Sequence, residues 1–172
     1  MSPTVRLALV SSLVVPFVAC DQATKVIATR VLENGPIELF GGVVQFRLVH
    51  NMGGFLSLGD HLPEYLRDAL FQGVVPLLLV IAVIVLMRSV EPTRTAIVGA
   101  SLILGGGIGN LTDRMLHEGG VVDFVSIGFS GLRTGIFNVA DVAIIAGVLM
   151  VMWEQRKSPA QVEAKASEES VS

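Results

Sequence analysis

The stretch Gln72-Gly-Val-Val-Pro-Leu-Leu-Leu-Val-Ile-Ala-Val-Ile-Val-Leu-Met87 is almost wholly apolar and carries no charged side chain. A helix needs about 20 apolar residues to cross the hydrocarbon core of a bilayer, so this stretch predicts a membrane span that is tilted or crosses a thinned bilayer. Similar apolar stretches occupy residues 7–27, 96–111 and 136–153. The sequence therefore predicts a mainly α-helical membrane protein with four transmembrane helices.

Composition supports this class. Hydrophobic residues make up 52% of the chain and charged residues 16%, well below the quarter that is usual in soluble domains. The net charge of -3, without a basic stripe, argues against nucleic acid as a partner. Cys20 is the only cysteine, so no intrachain disulfide can form. His50, His61 and His117 show no metal-ligand spacing, and we expect neither a metal nor a cofactor.

The connection between the first two spans, about residues 33–67, has its own pattern. Val43-Val-Gln-Phe-Arg-Leu-Val49 alternates between apolar and polar residues and is flanked by glycine pairs, which predicts a small β-sheet against the membrane surface. His61-Leu-Pro-Glu-Tyr-Leu-Arg67 predicts a short amphipathic helix at the interface. We therefore expect one membrane domain over residues 1–157, followed by a polar, disordered tail over residues 158–172.

Arginine and lysine positions indicate the orientation. Arg88 and Arg94 lie in the short loop between the second and third spans, and Arg156 and Lys157 follow the fourth. Short loops rich in these residues stay on the cytoplasmic side. The sequence predicts that both termini and the tail are cytoplasmic.

Asp123 and Asp141 lie at the edges of apolar segments. A carboxylate at the bilayer centre costs roughly 2.5–3.5 kcal/mol on insertion scales, so such residues usually serve a site. Two carboxyl groups held close together cannot both ionise cheaply, and a pair that shares one proton supplies a general acid and a general base. This is the chemistry of an aspartic peptidase.

Further polar residues cluster at the ends of spans. Asn110 lies three residues before Asp113 and four before Arg114, so they share a helix face, as an interfacial ion pair, a cap or a site would. Asn138 and Asp141 repeat the three-residue spacing, and we expect helix capping to explain one of them but not both.

Two features have simple structural interpretations. Ser101, Gly105 and Gly109 recur every four residues, which predicts close helix packing. Asp21 and Lys25 are four residues apart and could form a pair at the membrane surface. Seven polar residues fall at the same predicted membrane face, which indicates a single site: Asp21, Asn51, Asn110, Arg114, Asp123, Asn138 and Asp141.

Five ordered blocks carry a family resemblance: Asp21-Gln-Ala-Thr-Lys25, Asn51-Met-Gly53, Gly105-Gly-Gly-Ile-Gly-Asn-Leu-Thr-Asp-Arg114, Val121-Val-Asp-Phe124 and Phe137-Asn-Val-Ala-Asp141. In their order and spacing the chain resembles the lipoprotein signal peptidases of bacteria, also called signal peptidase II. The resemblance covers nearly all of the chain except the tail.

The resemblance implies a multi-pass aspartic endopeptidase of the bacterial cytoplasmic (inner) membrane. It would have four transmembrane helices, a small extracytoplasmic sheet and an active site near the extracytoplasmic face. Its substrates would be prolipoproteins, cut just before the cysteine that carries diacylglycerol, and membrane lipids would be its other partners. Asp123 and Asp141 would be catalytic. The residues that would support them or bind substrate are Asp21, Lys25, Asn51, Gly53, Asn110, Arg114 and Asn138.

Some positions depart from the family pattern. Gly54-Phe-Leu56 replaces two alanines and a phenylalanine, Thr134-Gly135 replaces tryptophan-proline, and Val142 replaces a small hydroxyl residue. We expect Phe55 to narrow the groove beside Asn51. A paralogue with altered or lost cleavage activity is therefore one alternative. A transporter that uses intramembrane carboxylates is another, but it would be expected to show internal repeats, and the sequence has none.

Overall fold

This computed structural model describes residues 2–54, 59 and 61–169, with side chains as far as residue 156. The predicted narrowing of the groove by Phe55 lies outside the described residues. The α-helices are α1 (Pro3–Val31), α2 (Glu64–Asp68), α3 (Val75–Arg88), α4 (Arg94–Leu116) and α5 (Val139–Glu169).

Helices of membrane-spanning length are present, as predicted. In the described part of the chain, three are long and apolar enough to cross a bilayer: Pro3–Asn34, Glu64–Arg88 and Arg94–Leu116. Many of their large apolar side chains are exposed, among them Leu77 and Val85, as expected where lipid replaces water around an apolar helix. A span by α5 stays a prediction.

The predicted interfacial helix is not a separate element. It begins at Glu64 as α2, passes through a π-helical turn at Ala69–Val74 and continues into α3 without a break. The N–H of Val75 donates to the carbonyl oxygen of Leu70, five residues back. Pro76 follows in the first turn of α3 and lacks an N–H donor. The π-helical turn, which is wider than an α-helical one, thus connects α2 to α3 just before this proline.

The small sheet is antiparallel with the order β1 (Ile37–Leu39), β2 (Val44–Asn51), β3 (Val121–Phe129), β4 (Leu132–Arg133). The sequence predicts a sheet only in the first connection, and this is incomplete because β3 and β4 come from the segment between α4 and α5. Short apolar runs cannot be assigned to strand or helix by periodicity alone. Asp123 consequently lies on a strand, in register with Val49.

Close helix packing forms the centre of the bundle, where α4 contacts α1, α3 and α5. A Cβ atom at Gly147 would lie 2.5 Å from the carbonyl oxygen of Gly99, so the backbones of α4 and α5 approach where only glycine fits. A Cβ atom at Gly105 would lie 3.0 Å from Phe17 of α1, and one at Gly109 would lie 2.6 Å from Asp21. The helix-packing interpretation of the small-residue stripe is confirmed.

The two ends of the bundle differ. At one end the buried Arg6 donates from Nη1 to the carbonyl oxygens of Leu86, Met87 and Ser89, joining the start of α1 to the turn after α3. At the other end the sheet packs on the end of α1 through an apolar cluster of Ala28, Leu32 and Phe124. The sheet therefore covers the end of the bundle opposite the α3–α4 turn.

The backbone of α5 continues as a helix as far as Glu169, within the segment that the sequence predicts to be disordered, and the disorder of this tail stays a prediction. Alanine, glutamate, glutamine and lysine dominate residues 160–169, and these residues have high helix propensity. The cytoplasmic location of the tail stays a prediction.

Candidate active site

A cavity of about 130 Å³ opens where α4, α5 and two strands meet beneath the sheet. Asp123 from β3 and Asp141 from the first turn of α5 both line it. The other lining residues are Asn51, Gly54, Phe71, Val75, Gly107, Asn110, Leu111, Arg114 and Val121. The two aspartates, which come from a strand and a helix, thus share one cavity.

Asparagines hold both carboxylate oxygens of Asp123, which is 1% exposed. Asn138 donates from Nδ2 to Oδ1 at 2.7 Å, and Asn51 donates from Nδ2 to Oδ2 at 2.7 Å. Two amide donors from different elements fix the plane of the carboxylate. Its side chain therefore cannot rotate without breaking a short hydrogen bond.

Burial raises the pKa of Asp123, a residue of β3 and not of a spanning helix, to about 7. The hydrogen bonds from Asn51 and Asn138 lower the pKa, whereas the charge of Asp141 raises it. Burial dominates because water is removed from the charged form. At neutral pH Asp123 is therefore poised between its protonated and ionised forms.

Asp141 and Asn138 form a reciprocal cap at the start of α5. The N–H of Asp141 donates to Oδ1 of Asn138 at 2.9 Å, and the N–H of Asn138 donates to Oδ2 of Asp141 at 3.2 Å. This is the geometry of a capping box, with aspartate in the role that glutamate or glutamine usually has. Both residues take part in the cap, but capping alone does not explain the bond from Asn138 to Asp123 or the bond from Asn110 to Asp141.

Asn110 connects the two halves of the site. It donates from Nδ2 to Oδ1 of Asp141 at 3.0 Å, and its own Oδ1 accepts from Asn138 at 3.1 Å and from Lys25 at 3.1 Å. Because Asn138 also binds Asp123, a continuous hydrogen-bonded chain runs between the two carboxylates. The asparagines thus orient both aspartates as one unit.

Lys25 lies behind these asparagines, in a buried charge cluster. Its Nζ is 2.8 Å from Asp21 Oδ2 and 3.0 Å from Asp113 Oδ2, and all three side chains are at most 3% exposed. Gln22 also donates to Asp113, at 2.8 Å. The interpretation of Asp21 and Lys25 as a pair at the membrane surface is wrong: they pair, but inside the protein, because Gly109 leaves room for Asp21 against α4.

Each carboxylate of this cluster also holds a backbone amide beside the cavity. Asp21 Oδ1 accepts from the N–H of Ala140 at 3.0 Å, and Asp113 Oδ2 accepts from the N–H of Val122 at 2.9 Å. Ala140 precedes Asp141, and Val122 precedes Asp123. The charge cluster therefore fixes the backbone immediately before each aspartate of the cavity.

Arg114 contributes a buried guanidinium to the cavity wall. Its Cζ lies 4.4 Å from the centre of the Phe71 ring, and its Nη1 donates to the carbonyl oxygen of Asn110 at 3.4 Å. Gly53 is not among the residues that line the cavity, but its N–H donates to Oδ1 of Asn51 at 3.0 Å. That bond forms a turn that directs the Asn51 amide toward Asp123.

The structure brings all the residues of the predicted site together. Asn51, Asn110 and Arg114 line the cavity with the aspartates, whereas Asp21, Lys25, Gly53 and Asn138 lie behind it and hold lining residues. Sequence reasoning left out Gln22 and Phe71, and it named Asp113 beside Asn110 without assigning it to the site. Gln22 and Asp113 lie within the blocks that carry the family resemblance, which could have indicated them; Phe71, beside an apolar run, gave no signal.

The structure shows no metal site within residues 2–54, 59 and 61–169. No three histidine, cysteine, aspartate or glutamate side chains in these ranges are placed to hold a metal ion. The rings of His50 and His117 contact each other edge to face with centres 6.0 Å apart.

Helices long enough to cross a membrane and a buried pair of aspartates in one cavity are the features expected of a membrane-embedded enzyme. The family profile described as Signal peptidase (SPase) II matches residues 13–156. A lipoprotein signal peptidase of Treponema denticola is 36% identical over 133 residues, covering 74% of this chain and 77% of its own. One of Treponema pallidum is 32% identical over 146 residues, covering 78% and 76%.

A solved bacterial membrane enzyme has a similar fold, with a TM-score of 0.76 at 24% identity over 88% of this chain and 90% of its own. The chain belongs to the signal peptidase II family. It is therefore a membrane protease, and the predicted membership is confirmed.

Proposed function

We propose that this chain removes signal peptides from diacylglyceryl-modified prolipoproteins by cutting before the lipidated cysteine, with Asp123 and Asp141 as the catalytic pair. The observation that carries the proposal is that these two carboxylates line one small cavity and are held by a shared set of asparagines. A relative named lipoprotein signal peptidase supports the substrate class.

The proposed mechanism is a series of proton transfers between the two carboxyl groups, a water molecule and the substrate. One carboxylate takes a proton from a water molecule while the oxygen of that water attacks the scissile carbonyl carbon. The other carboxyl group, protonated, donates its proton to the carbonyl oxygen. The tetrahedral intermediate collapses, the C–N bond breaks and the leaving amine takes a proton from the pair. Burial raises the pKa of Asp123 to about 7, which supports a pair that holds one shared proton near neutral pH.

The test compares two precursors that differ only in the lipid. Purified protein is mixed with a diacylglyceryl-modified precursor and, in a matched reaction, with the same precursor unmodified. Cleavage of the lipidated form alone supports the proposal. Cleavage of both would remove the lipid requirement, and cleavage of neither would favour a paralogue that has lost activity.

We also propose an orientation in which both termini are in the cytoplasm of a bacterial cell and the cavity lies near the extracytoplasmic face of the inner membrane. Arg6 joins the start of α1 to the turn after α3, so these two segments lie on one side, where Arg88 and Arg94 favour the cytoplasm. The cavity lies at the other end of α4.

Reporter fusions test this orientation. A reporter that is active only outside the cytoplasm should be inactive when fused after Met87 and active when fused after Arg133, because β4 lies with the sheet. Activity of the Met87 fusion would contradict the orientation, whatever the result at Arg133.

Arg114→Lys is expected to impair cleavage while the protein still inserts and folds. Lysine keeps the charge but loses the planar fork of donors and the stacking of the guanidinium on Phe71. A lost hydrogen bond from a charged group is worth roughly 1.5–3 kcal/mol, about a 10- to 100-fold fall in kcat/KM. Wild-type kinetics in Arg114→Lys would show that charge alone suffices there.

A further inference from the structure

The ring of Phe71 occupies a tight position in the cavity wall. It lies against the guanidinium of Arg114, 4.4 Å from Cζ to the ring centre. It also lies against the backbone of Gly54, where an added Cβ atom would be 2.5 Å from Cζ of the ring. All three residues line the cavity that contains Asp123 and Asp141. The ring thus fills the space between a charged side chain and a turn of the backbone.

Among the described residues, few hydrogen bonds or ion pairs hold the side chain of Arg114 in place. It is 6% exposed, and within the described residues it forms no salt bridge. Its hydrogen bond to the carbonyl oxygen of Asn110 is long, at 3.4 Å, and its buried Nε has no partner in the described part of the chain. A guanidinium over an aromatic face is attracted to the ring quadrupole and lies flat on it. The Phe71 ring is therefore the main contact that sets the plane of the guanidinium.

Two local features of the chain place the ring there. Phe71 belongs to the π-helical turn Ala69–Val74, and such a turn changes the direction of its side chains from that in a continuous α-helix. Gly54 has a φ of +74°, in the left-handed region that favours glycine, and its missing Cβ atom leaves room for the ring. Either an ordinary α-helical turn or a side chain at position 54 would displace Phe71 from Arg114.

We propose that Phe71 is a positioning residue that holds the guanidinium of Arg114 in the cavity wall, where it can donate to a carbonyl oxygen of the bound precursor. The inference rests on the proposed function and adds a residue to it. Phe71 acts through Arg114 and needs no contact with the reacting atoms. The aromatic face, and not only the apolar volume, is what the position requires.

The test separates aromatic character from volume. Phe71→Leu keeps an apolar side chain but loses the face, and it is expected to raise KM for the lipidated precursor roughly 3- to 30-fold with kcat near the wild-type value. Phe71→Tyr keeps the face and is expected to retain a KM close to that of the wild type. Phe71→Met is a second apolar variant if Phe71→Leu does not fold in detergent.

A double-mutant cycle shows whether Phe71 acts through Arg114. In the Arg114→Lys background, Phe71→Leu is expected to cause little further change, because the stacked guanidinium is already absent. Val75→Ala is the matched control: Val75 lines the same cavity but has no aromatic ring on which the guanidinium could stack, so its effect on KM should be the same in both backgrounds.

Gly54→Ala perturbs the ring from the other side. The added Cβ atom collides with Phe71, so Gly54→Ala should raise KM in the wild-type chain and have a smaller effect in the Phe71→Leu chain. The strain at φ +74° is common to both chains and cancels in the comparison.

The outcomes distinguish the two proposals. If the wild-type protein does not cleave the lipidated precursor, the proposed function fails and this inference fails with it. If the wild-type protein cleaves, but Phe71→Leu and Phe71→Tyr have equal KM values, or Phe71→Leu and Arg114→Lys add fully, this inference alone is overturned.

Discussion

Replacing Asp123 or Asp141 by asparagine is expected to abolish cleavage of the lipidated precursor. Asparagine matches aspartate in shape but cannot accept and return a proton, and loss of general acid or base catalysis alone costs about 100- to 10,000-fold in rate. Because one proton serves the pair, the double variant should be no worse than either single variant. The measurement is turnover by the purified variants under conditions that saturate the wild-type protein.

Asp68→Asn is the matched control, since Asp68 is exposed and binds Gln72 on the outer surface of the helix. It should cleave as the wild type does. Substantial residual turnover in Asp123→Asn or Asp141→Asn would defeat the assignment of the pair. Loss of folding in both would return these aspartates to a structural role.

The stability of Asp123→Asn should depend on pH in a defined direction. Burial raises the pKa of Asp123 from 3.8 to about 7 in the folded protein, so between these values the folded state retains a proton that the unfolded state releases. This contribution to wild-type stability is complete below pH 3.8 and is lost as the pH rises through about 7. The melting temperature of Asp123→Asn relative to wild type should therefore rise from pH 4 to pH 7 and level off above it.

Much of the site was predictable from the sequence because polar residues are costly in an apolar chain. Asp123, Asp141 and Asn138 stand out against their neighbours, and burial without a partner would destabilise the protein. Their shared position at one end of the spans follows from the span boundaries alone. The prediction of a single site needed no knowledge of how the helices pack.

Other parts depend on packing that sequence patterns do not specify. Phe71 is one aromatic residue beside an apolar run, and its contact with Arg114 depends on a π-helical turn that has no sequence signature of its own. The pairing of β2 with β3 brings together segments that are separated in the sequence by α2, α3 and α4. Asp113 reaches Lys25 only because α1 and α4 pack with particular faces together.

The charge cluster explains how two aspartates from different elements stay aligned. Lys25 bridges Asp21 and Asp113, Asp21 binds the amide before Asp141, and Asp113 binds the amide before Asp123. One ammonium thus joins the backbone of α5 to that of β3 through two carboxylates. The spacing of the aspartates in the cavity depends on a group that does not line it.

Lys25→Met is therefore expected to destabilise the protein and to lower cleavage. Methionine fills a similar volume, but Asp21 and Asp113, both at most 1% exposed, would be left without a counter-ion. Breaking a buried ion pair by removing one partner costs roughly 3–5 kcal/mol of unfolding free energy. Thermal unfolding in detergent and turnover of the lipidated precursor measure the two effects.

Two further variants are compared with Lys25→Met. Arg30→Met removes an exposed charge from the same helix, and it should change the melting temperature little, because exposed charges contribute little to stability. The triple variant Asp21→Asn, Lys25→Met, Asp113→Asn removes all three charges while an amide oxygen remains at each position to accept from Ala140 and Val122. It should regain part of the lost stability, since no uncompensated charge stays buried. If Lys25→Met has the same melting temperature as the wild type, or if the triple variant is no more stable than Lys25→Met, the charge cluster does not set the alignment of β3 and α5.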